Sequence, residues 1–219
     1  MFFYVLWEPI WTIWICRKNW RLLMAELFLR AVYLFPSPNL LARSYMRGQN
    51  HTRKGAGTAH SLLYGHTPTS TLDAIGSACG LSKDMVLYDV GCGAGYSLFY
   101  WRYRFGARVL GIELNPSFIK RILWCCGLLK EEYVHAQTVD ARAVDYSPAD
   151  VIYVHGTSFT TELMSALFQR WESELLLGTV VISVLHHPQD YGAKRLAAIG
   201  SIDGHFPWGV CPVYICQQG

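Results

Sequence analysis

The strongest chemical signal in this 219-residue sequence is the glycine-rich segment Asp89-Val90-Gly91-Cys92-Gly93-Ala94-Gly95. It follows an apolar run that predicts a β-strand and precedes a run that predicts a helix. Glycines at such a turn let backbone N–H groups approach a ligand closely at a helix N-terminus. Tyr96 stands where a dinucleotide fingerprint needs its last glycine, which argues against NAD. Asp89 disfavours a diphosphate and favours a cationic group, such as the ammonium of an amino acid.

Two further acids stand at the ends of the next predicted strands. Glu113 ends the strand predicted over 107–114, where a carboxylate can accept hydrogen bonds from both hydroxyls of a ribose. Asp140 ends the strand predicted over 133–140 and is placed to meet the edge of an adenine. A single acid at a strand end is more often a helix cap or a solvated loop residue. Together with Asp89, on the crevice side of an α/β sheet, the three acids predict a nucleoside site.

The elements that must position these residues alternate along the chain. From residue 71 onward, short apolar strands are separated by helical segments. The predicted strands cover 85–90, 107–114, 133–140, 149–156 and 178–185, and the predicted helices cover 71–81, 96–104, 116–129 and 158–176. Two last strands, 195–202 and 210–217, have no helix between them, which predicts a hairpin. This alternation predicts an α/β fold with a mostly parallel sheet covered on both faces.

The composition excludes several classes of protein. Hydrophobic residues make up 52% of the chain and charged residues 16%, which excludes intrinsic disorder and collagen-like fibres. The net charge of +3 is too weak to predict nucleic-acid binding. Residues 1–60 carry eight basic and two acidic residues, so +6, and the remainder carries −3. This asymmetry favours an anionic partner surface such as lipid headgroups. The seven cysteines lack a zinc-binding spacing, so we expect no metal site and reduced thiols in a cytoplasmic protein.

The amino-terminal segment has the pattern of a membrane anchor. Residues 1–16 are almost entirely apolar, and a basic collar of Arg17, Lys18 and Arg21 follows them. As a helix, sixteen residues would rise roughly 24 Å, short of the ~30 Å hydrocarbon core. The pattern favours an interfacial or marginally spanning anchor within residues 1–35. If the segment spans, the collar after it places the body on the cytoplasmic side. The alternative is a pair of amphipathic helices packed on the body. The predicted parts are a helical anchor over 1–41, a basic linker or cap over 42–60, and a globular domain over 61–219.

The motifs DVGCGAG (89–95), GIEL (111–114) and VD (139–140) resemble those of the class I S-adenosylmethionine-dependent methyltransferases. The resemblance covers about residues 60–219. It implies a Rossmann-like, doubly wound sheet of seven strands with the last strand antiparallel, and S-adenosyl-L-methionine as cofactor. The residues that it assigns to the methionine part of the cofactor are Asp89, Gly91, Gly93 and Gly95. It places Glu113 at the ribose and Asp140 near the adenine.

A finer resemblance concerns the segments around this core. Tyr64-Gly65-His66-Thr67-Pro68, residues 149–163 and residues 206–217 follow the order seen in the non-SET histone lysine methyltransferases and their relatives. Those relatives include the membrane-anchored family that methylates a lysine of the ATP synthase c-subunit. His66 stands where the histone enzymes carry Glu, and the segment 155–159 replaces their Asn pair. The resemblance adds Tyr64, Thr67 and His155 to the candidate cofactor-binding residues.

The predicted catalytic residues are His155, Tyr64 and Phe159. A lysine acceptor has an ordinary pKa of about 10.4 and must lose its proton before methyl transfer, and an apolar channel lowers that pKa. Tyr64, Phe159 and Trp208 are candidates to line the channel, and His155 is a candidate base. Core packing is the alternative interpretation for the three aromatic residues. A structural histidine or an adenosyl contact is the alternative for His155.

Three functions remain open from the sequence. The first is a methyltransferase that modifies a lysine of a protein at or near a membrane. The second is a methyltransferase for a small molecule or lipid, and the third is a cofactor-binding protein without catalysis. No nucleic-acid partner is expected, because the body is not basic and no Asn/Asp-Pro-Pro-aromatic motif follows the fourth strand.

Overall fold

The computed structural model describes residues 67–206 and 208–219 and, before them, residues 19–21 and 24. The α-helices of residues 67–219 are α1 (Thr69–Ala78), α2 (Tyr96–Phe105), α3 (Pro116–Leu129) and α4 (Thr161–Glu174). The strands are β1 (Val86–Val90), β2 (Arg108–Glu113), β3 (Val134–Thr138), β4 (Val151–Val154), β5 (Val180–Val184), β6 (Leu196–Phe206) and β7 (Gly209–Gln218). Short 3₁₀ turns lie at Ala141–Ala143 and Pro188–Tyr191.

The seven strands form one sheet in the order β3-β2-β1-β4-β5-β7-β6. Strands β1 to β5 run parallel, and β7 lies antiparallel to both β5 and β6. Successive strands step outward from β1 on one side and from β4 on the other, so the strand order reverses between β1 and β4. In open α/β sheets, this reversal creates a crevice at the carboxyl ends of the strands, where ligands bind. The loops after β1 and β4 therefore border the candidate site.

Each face of the sheet is covered by its own apolar core. On one face, α1, α2 and α3 contribute Leu72, Leu98 and Ile122, all fully buried. On the other face, α4 packs Phe168 and Trp171 against the strands, also without exposure. The central parallel strands β1, β4 and β5 are thus buried on both sides, which explains their short, continuous hydrophobic runs in the sequence, whereas the edge strand β3 is largely exposed.

The predicted doubly wound seven-stranded fold is confirmed, including the antiparallel last strand and the final hairpin. Some predicted boundaries are wrong. Helix α1 begins at Thr69 instead of residue 71, and β6 continues to Phe206 instead of 202 because it pairs with β7 along the whole hairpin. Strand β3 ends at Thr138 instead of Asp140, because the Asp140 side chain accepts a hydrogen bond from Arg142 N and begins a 3₁₀ turn.

The predicted anchor (1–41) and linker (42–60) lie outside the described residues, apart from residues 19–21 and 24. Trp20, Arg21 and Met24 are helical. Among the helices that the structure describes, none is both long enough and apolar enough to cross a membrane.

Candidate functional site

The glycine-rich turn between β1 and α2 adopts a backbone that side chains rarely tolerate. Gly91, Gly93 and Gly95 have φ angles of 79°, 53° and 83°, in the left-handed region. A Cβ atom on Gly95 would lie 2.5 Å from the Ile122 side chain, and one on Gly91 would lie 2.9 Å from the Phe159 ring. Because Gly95 is the N-cap of α2, the turn presents its backbone at the positive end of a helix.

Asp89 is buried beneath this turn, with an exposed fraction of 2%. Its carboxylate accepts a hydrogen bond from the hydroxyl of Ser97, in the first turn of α2. Burial raises the pKa of Asp89 to about 7; the hydrogen bond from Ser97 opposes this rise, and the charge of Glu113 adds to it. A buried carboxylate without a cation gains from a positively charged partner. The position of Asp89 therefore suits the ammonium of an amino acid.

Glu113, at the end of β2, is tied to the glycine-rich turn. Its Oε2 accepts a hydrogen bond from Gly93 N at 3.1 Å, and its Oε1 accepts one from Asn115 N at 2.8 Å. Burial raises the pKa of Glu113, while these backbone N–H groups act in the opposite direction. Each carboxylate oxygen has two acceptor positions, so the oxygens keep capacity for ribose hydroxyls while their orientation is fixed.

Asp140 lies two residues beyond β3 and is engaged locally. Arg142 Nη2 lies 2.6 Å from Asp140 Oδ2, and Arg142 Nε donates to Oδ1 at 3.0 Å. These hydrogen bonds from Arg142 lower the pKa of Asp140. The carboxylate of Asp140 is therefore ionised and already paired with a guanidinium.

On the β4 side, three polar side chains form a buried network. Thr67 Oγ1 makes a hydrogen bond with the hydroxyl of Tyr153, in β4, and lies 3.2 Å from Nδ1 of His155, the residue after β4. All three residues are buried, and Tyr153 is the register partner of Asp89 across β1 and β4. Burial raises the pKa of Tyr153, and the charge of Asp89 adds to this effect, so the phenol is neutral.

An aromatic cluster covers His155 from the β6–β7 hairpin. The imidazole ring lies 5.0 Å from the Phe206 ring and 5.7 Å from the Trp208 ring, between centroids. Phe206 and Trp208 stack at 5.1 Å. Phe206 is buried, whereas 41% of Trp208 is exposed. The hairpin thus supplies an apolar, partly accessible wall beside the end of β4.

The structure brings most of the predicted site residues to the carboxyl ends of β1, β2 and β4. Phe159 lies against Gly91, and Thr67 contacts His155. Asp140 follows the end of β3 and is paired with Arg142, and Tyr64 lies outside the described residues. Sequence reasoning missed Ser97 and Tyr153. Tyr153 stands two residues before His155 on a predicted strand, and this period of two places both side chains on the same face of the sheet.

No family model matches the sequence, and no curated protein matches it. Solved structures do resemble it. An RNA methyltransferase from Salinibacter ruber, crystallised with S-adenosyl-L-homocysteine, is 24% identical, with a TM-score of 0.57 over 70% of this chain and 93% of that chain. A geranyl diphosphate C-methyltransferase from Streptomyces coelicolor A3(2), bound to Mg²⁺, geranyl diphosphate and S-adenosyl-L-homocysteine, is 14% identical. Its TM-score is 0.58 over 69% of this chain and 79% of that chain.

A third resemblance is to TrmN from Thermus thermophilus, at 13% identity and a TM-score of 0.61 over 73% of this chain and 52% of that chain. These identities are low, so the resemblance bears on the fold. Together with the strand order, the three structural resemblances show that this chain has the Rossmann-like fold of the class I S-adenosylmethionine-dependent methyltransferases.

Proposed function

We propose that this protein is a methyltransferase that uses S-adenosyl-L-methionine as its methyl donor. The observation that carries the proposal is the turn at Gly91–Gly95, which lies between the buried carboxylate of Asp89 and the fixed carboxylate of Glu113. The turn stands at the strand-order reversal of a fold whose solved relatives bind S-adenosyl-L-methionine or S-adenosyl-L-homocysteine.

The residues present fit this cofactor. Asp89 offers its negative charge to the ammonium of the methionine part, and Gly91, Gly93 and Gly95 allow close backbone approach. Glu113 accepts hydrogen bonds from the ribose hydroxyls, and Asp140 stands on the adenine side. When bound, the cofactor supplies a methyl group on a sulfonium. The protein's task is then to align the two reactants and to exclude water.

Calorimetric titration with S-adenosyl-L-homocysteine tests the cofactor site. Asp89→Ala and Gly93→Arg should each abolish detectable binding and leave the circular dichroism spectrum close to that of the wild type. Gly127→Arg is the matched control, because Gly127 lies on the exposed face of α3 with open space around its Cβ position. Unchanged binding by both site variants would falsify the assignment.

For the methyl acceptor, we propose the ε-amine of a lysine in a protein at or near a membrane. Two observations support it: the layout of residues 64–68, 149–163 and 206–217, and the aromatic wall formed by Phe206 and Trp208 beside His155. An apolar wall favours the uncharged amine, which has lost its proton. The lone pair of that amine then forms the new bond to the methyl carbon as the carbon–sulfur bond breaks.

A small molecule or lipid is the second candidate acceptor. The aromatic wall is equally suited to an apolar substrate, and one solved relative acts on geranyl diphosphate. Another relative acts on RNA, so the expectation that no nucleic acid binds stays a prediction.

The acceptor is tested with S-adenosylmethionine labelled in its methyl group. The full-length protein is incubated with membranes and soluble extract of its host, and the Gly93→Arg variant serves as background. Label in one protease-sensitive band, recovered as methyl-lysine after acid hydrolysis, is the expected result. Label in the organic phase would favour a lipid or apolar small molecule, and nuclease-sensitive label would favour RNA. Cofactor binding without label in any fraction would favour a non-catalytic protein.

A further inference from the structure

Helix α3 is apolar on its outer face as well as on its inner face. The inner face, which includes Ile119, Ile122 and Leu129, is buried in the core. On the outer face, an exposed stripe follows the same helical period; we call it the outer stripe, and it consists of Lys120, Leu123, Trp124, Gly127 and Leu128. Its three large apolar side chains are each about half exposed. A helix that is apolar all round is normally buried all round, so this exposed stripe points to a binding surface.

Helix α4 shows that packing on the sheet does not require such a stripe. It also has 14 residues, and it covers the opposite face of the same sheet. Its exposed positions are polar except for one small residue; they are Thr161, Glu162, Ala166, Gln169, Ser173 and Glu174. The two leucines and the tryptophan on the outside of α3 therefore have a cause other than the packing of a helix on this sheet.

The charges within and next to the outer stripe are mainly basic. Lys120 and Arg121 lie in α3, Lys130 is its C-cap, and the helix contains no Asp or Glu. Of the two acids that follow the helix, Glu131 is buried against a guanidinium and only Glu132 is exposed. An apolar stripe with basic residues beside it suits an anionic bilayer, because the headgroups attract the cations and the acyl boundary accepts the apolar side chains.

Two aromatic–arginine pairs extend this surface at the carboxyl end of α3. The Arg102 guanidinium lies 4.2 Å from the centre of the Tyr133 ring, and that of Arg21 lies 5.7 Å from the centre of the Trp20 ring. Both arginines approach Glu131, directly after the C-cap of α3, and both aromatic rings are exposed. Tyrosine, tryptophan and basic residues are the groups that membrane proteins place at the level of the headgroups.

We propose that the outer stripe of α3 rests on an anionic lipid bilayer and orients the folded body there. The inference goes beyond the proposed methyltransferase function, because it assigns a lipid contact to the body itself. A second copy of the chain fits this face less well, since a two-fold contact would bring two basic surfaces together. The contact is small, so it does not hold the body on a membrane alone. It is the second of two signals, and the amino-terminal segment supplies the first.

This orientation places the candidate cofactor site next to the bilayer. Asn115 is the N-cap of α3, and its backbone N–H donates to Glu113 Oε1 at 2.8 Å. The amino end of α3 thus adjoins the carboxylate proposed for the ribose. The crevice at the carboxyl ends of the strands then opens beside the lipid contact, where it meets an acceptor at the membrane surface. This consequence, unlike the lipid contact, rests on the proposed function.

The contact is tested by fluorine NMR of the full-length protein, labelled with 5-fluorotryptophan and mixed with bicelles of phosphatidylcholine and phosphatidylglycerol. The chain has eight tryptophans, and the Trp124 signal is assigned by its loss in Trp124→Phe. A nitroxide on the lipid acyl chains should broaden the Trp124 signal. The Trp171 signal, assigned in the same way, should stay sharp, because Trp171 is fully buried on the other face of the sheet.

Two outcomes of the fluorine experiment overturn the proposal. One is a Trp124 signal that the nitroxide leaves unchanged while the protein is bound to the bicelles; this result leaves the amino-terminal anchor intact. The other is a protein that does not bind the bicelles. Neither outcome involves the cofactor, so a failure of the lipid contact and a failure of cofactor binding are distinguished.

Variants of the full-length chain test the outer stripe through its lipid affinity. Leu123→Glu combined with Leu128→Glu should weaken binding to vesicles of the same lipids by about tenfold or more, because apolar contacts are lost and two negative charges face anionic headgroups. Ala166→Glu combined with Ser173→Glu is the matched control, since it adds the same charge at exposed positions of α4. Equal effects of the two pairs contradict the proposal. Unchanged lipid affinity with loss of a concentration-dependent dimer in the α3 variant would assign this face to a second copy instead.

Discussion

At the scale of the residue, Asp89 lies in surroundings that destabilise its ionised form. It is buried between β2 and β4, next to Gly111 and Tyr153 in the strand register, and the carboxylate of Glu113 lies nearby. The hydrogen bond from Ser97 compensates only part of this cost, since the pKa remains near 7. Binding sites commonly sacrifice stability in this way, because a group that awaits a charged ligand is unsatisfied without it.

Asp89→Asn should stabilise the ligand-free protein at alkaline pH. The folded pKa of about 7 lies above the ordinary value of 3.8, so the folded state binds the proton more tightly than the unfolded state. The cost of the charge is thus absent below pH 3.8, grows as the pH rises to about 7, and is constant above it. We expect the free energy of unfolding at pH 8 to rise by about 2–4 kcal/mol, measured by urea denaturation.

The gain should shrink as the pH falls toward 4. Asp145→Asn is the control, because Asp145 is exposed and the backbone N–H of Ser147 lowers its pKa. Its replacement should bring no gain at any pH. An Asp89→Asn variant that is no more stable than the wild type at pH 8 would contradict the description of this site.

At the scale of the element, the site depends on how α1 and the β6–β7 hairpin are joined. Strand β6 is at the edge of the sheet and has backbone groups that β7 does not pair. The hydroxyl of Thr71, in α1, pairs with two of them: it donates to His205 O and accepts from His205 N. The close approach is possible because the neighbouring residue is Gly204, where a Cβ would lie 2.8 Å from Val213 and 3.2 Å from Thr71. A helix thus protects an edge strand and positions Phe206 and Trp208.

Thr71→Val should weaken this junction without a change in side-chain shape. The substitution leaves both backbone groups of His205 without the hydroxyl, and we expect a loss of about 1–2 kcal/mol of unfolding free energy. Thermal denaturation should show a midpoint lower by about 2–6 °C. Ser77→Ala, at an exposed position of the same helix, should have no comparable effect. An unchanged midpoint in Thr71→Val would show that the hairpin is held in place by other contacts.

At the scale of the whole molecule, the amino-terminal segment contacts the body beside α2 and α3. The Asn19 side-chain amide donates to Tyr103 O at 2.7 Å, and Met24 packs against the core on that face of the sheet. Arg21 lies 3.9 Å from Glu131, and Arg102 lies 3.2 Å from the same carboxylate. The nearby surface combines Arg21 with exposed apolar side chains. Trp20, Leu123, Trp124 and Leu128 are each about half exposed or more. Such a mixture of aromatic, aliphatic and basic groups suits an interface with anionic lipid.

Deletion of residues 1–35 should release the protein from membranes. The expected result is that the full-length chain sediments with vesicles of phosphatidylcholine and phosphatidylglycerol, less with phosphatidylcholine alone, and that the truncated chain stays in the supernatant. The melting temperature should fall modestly, because Asn19 and Met24 lose their contacts with the body. A full-length variant with Arg17, Lys18 and Arg21 changed to Glu tests the electrostatic part of membrane binding. The anchor is refuted if the truncated chain sediments with these vesicles. It is also refuted if the full-length chain stays in the supernatant.

The sequence by itself determined the order and type of the elements and the identity of the glycine-rich turn. Apolar periodicity, helix caps and glycine positions are local properties, so α3 appears at its predicted residues 116–129 and the turn appears at 91–95. The pairing of Asp140 with Arg142 is also local, because the two residues are two positions apart in the sequence.

Only the tertiary structure decided which distant side chains meet. Thr67 and His155 are 88 residues apart, and Tyr153 becomes a neighbour of Asp89 through the pairing of β4 with β1. The stacking of Phe206 and Trp208 on His155 likewise needs the β6–β7 hairpin to join the sheet beside β5. These contacts depend on strand register and on the packing of both cores, which are set by the sum of many long-range interactions and leave no periodic trace in the chain.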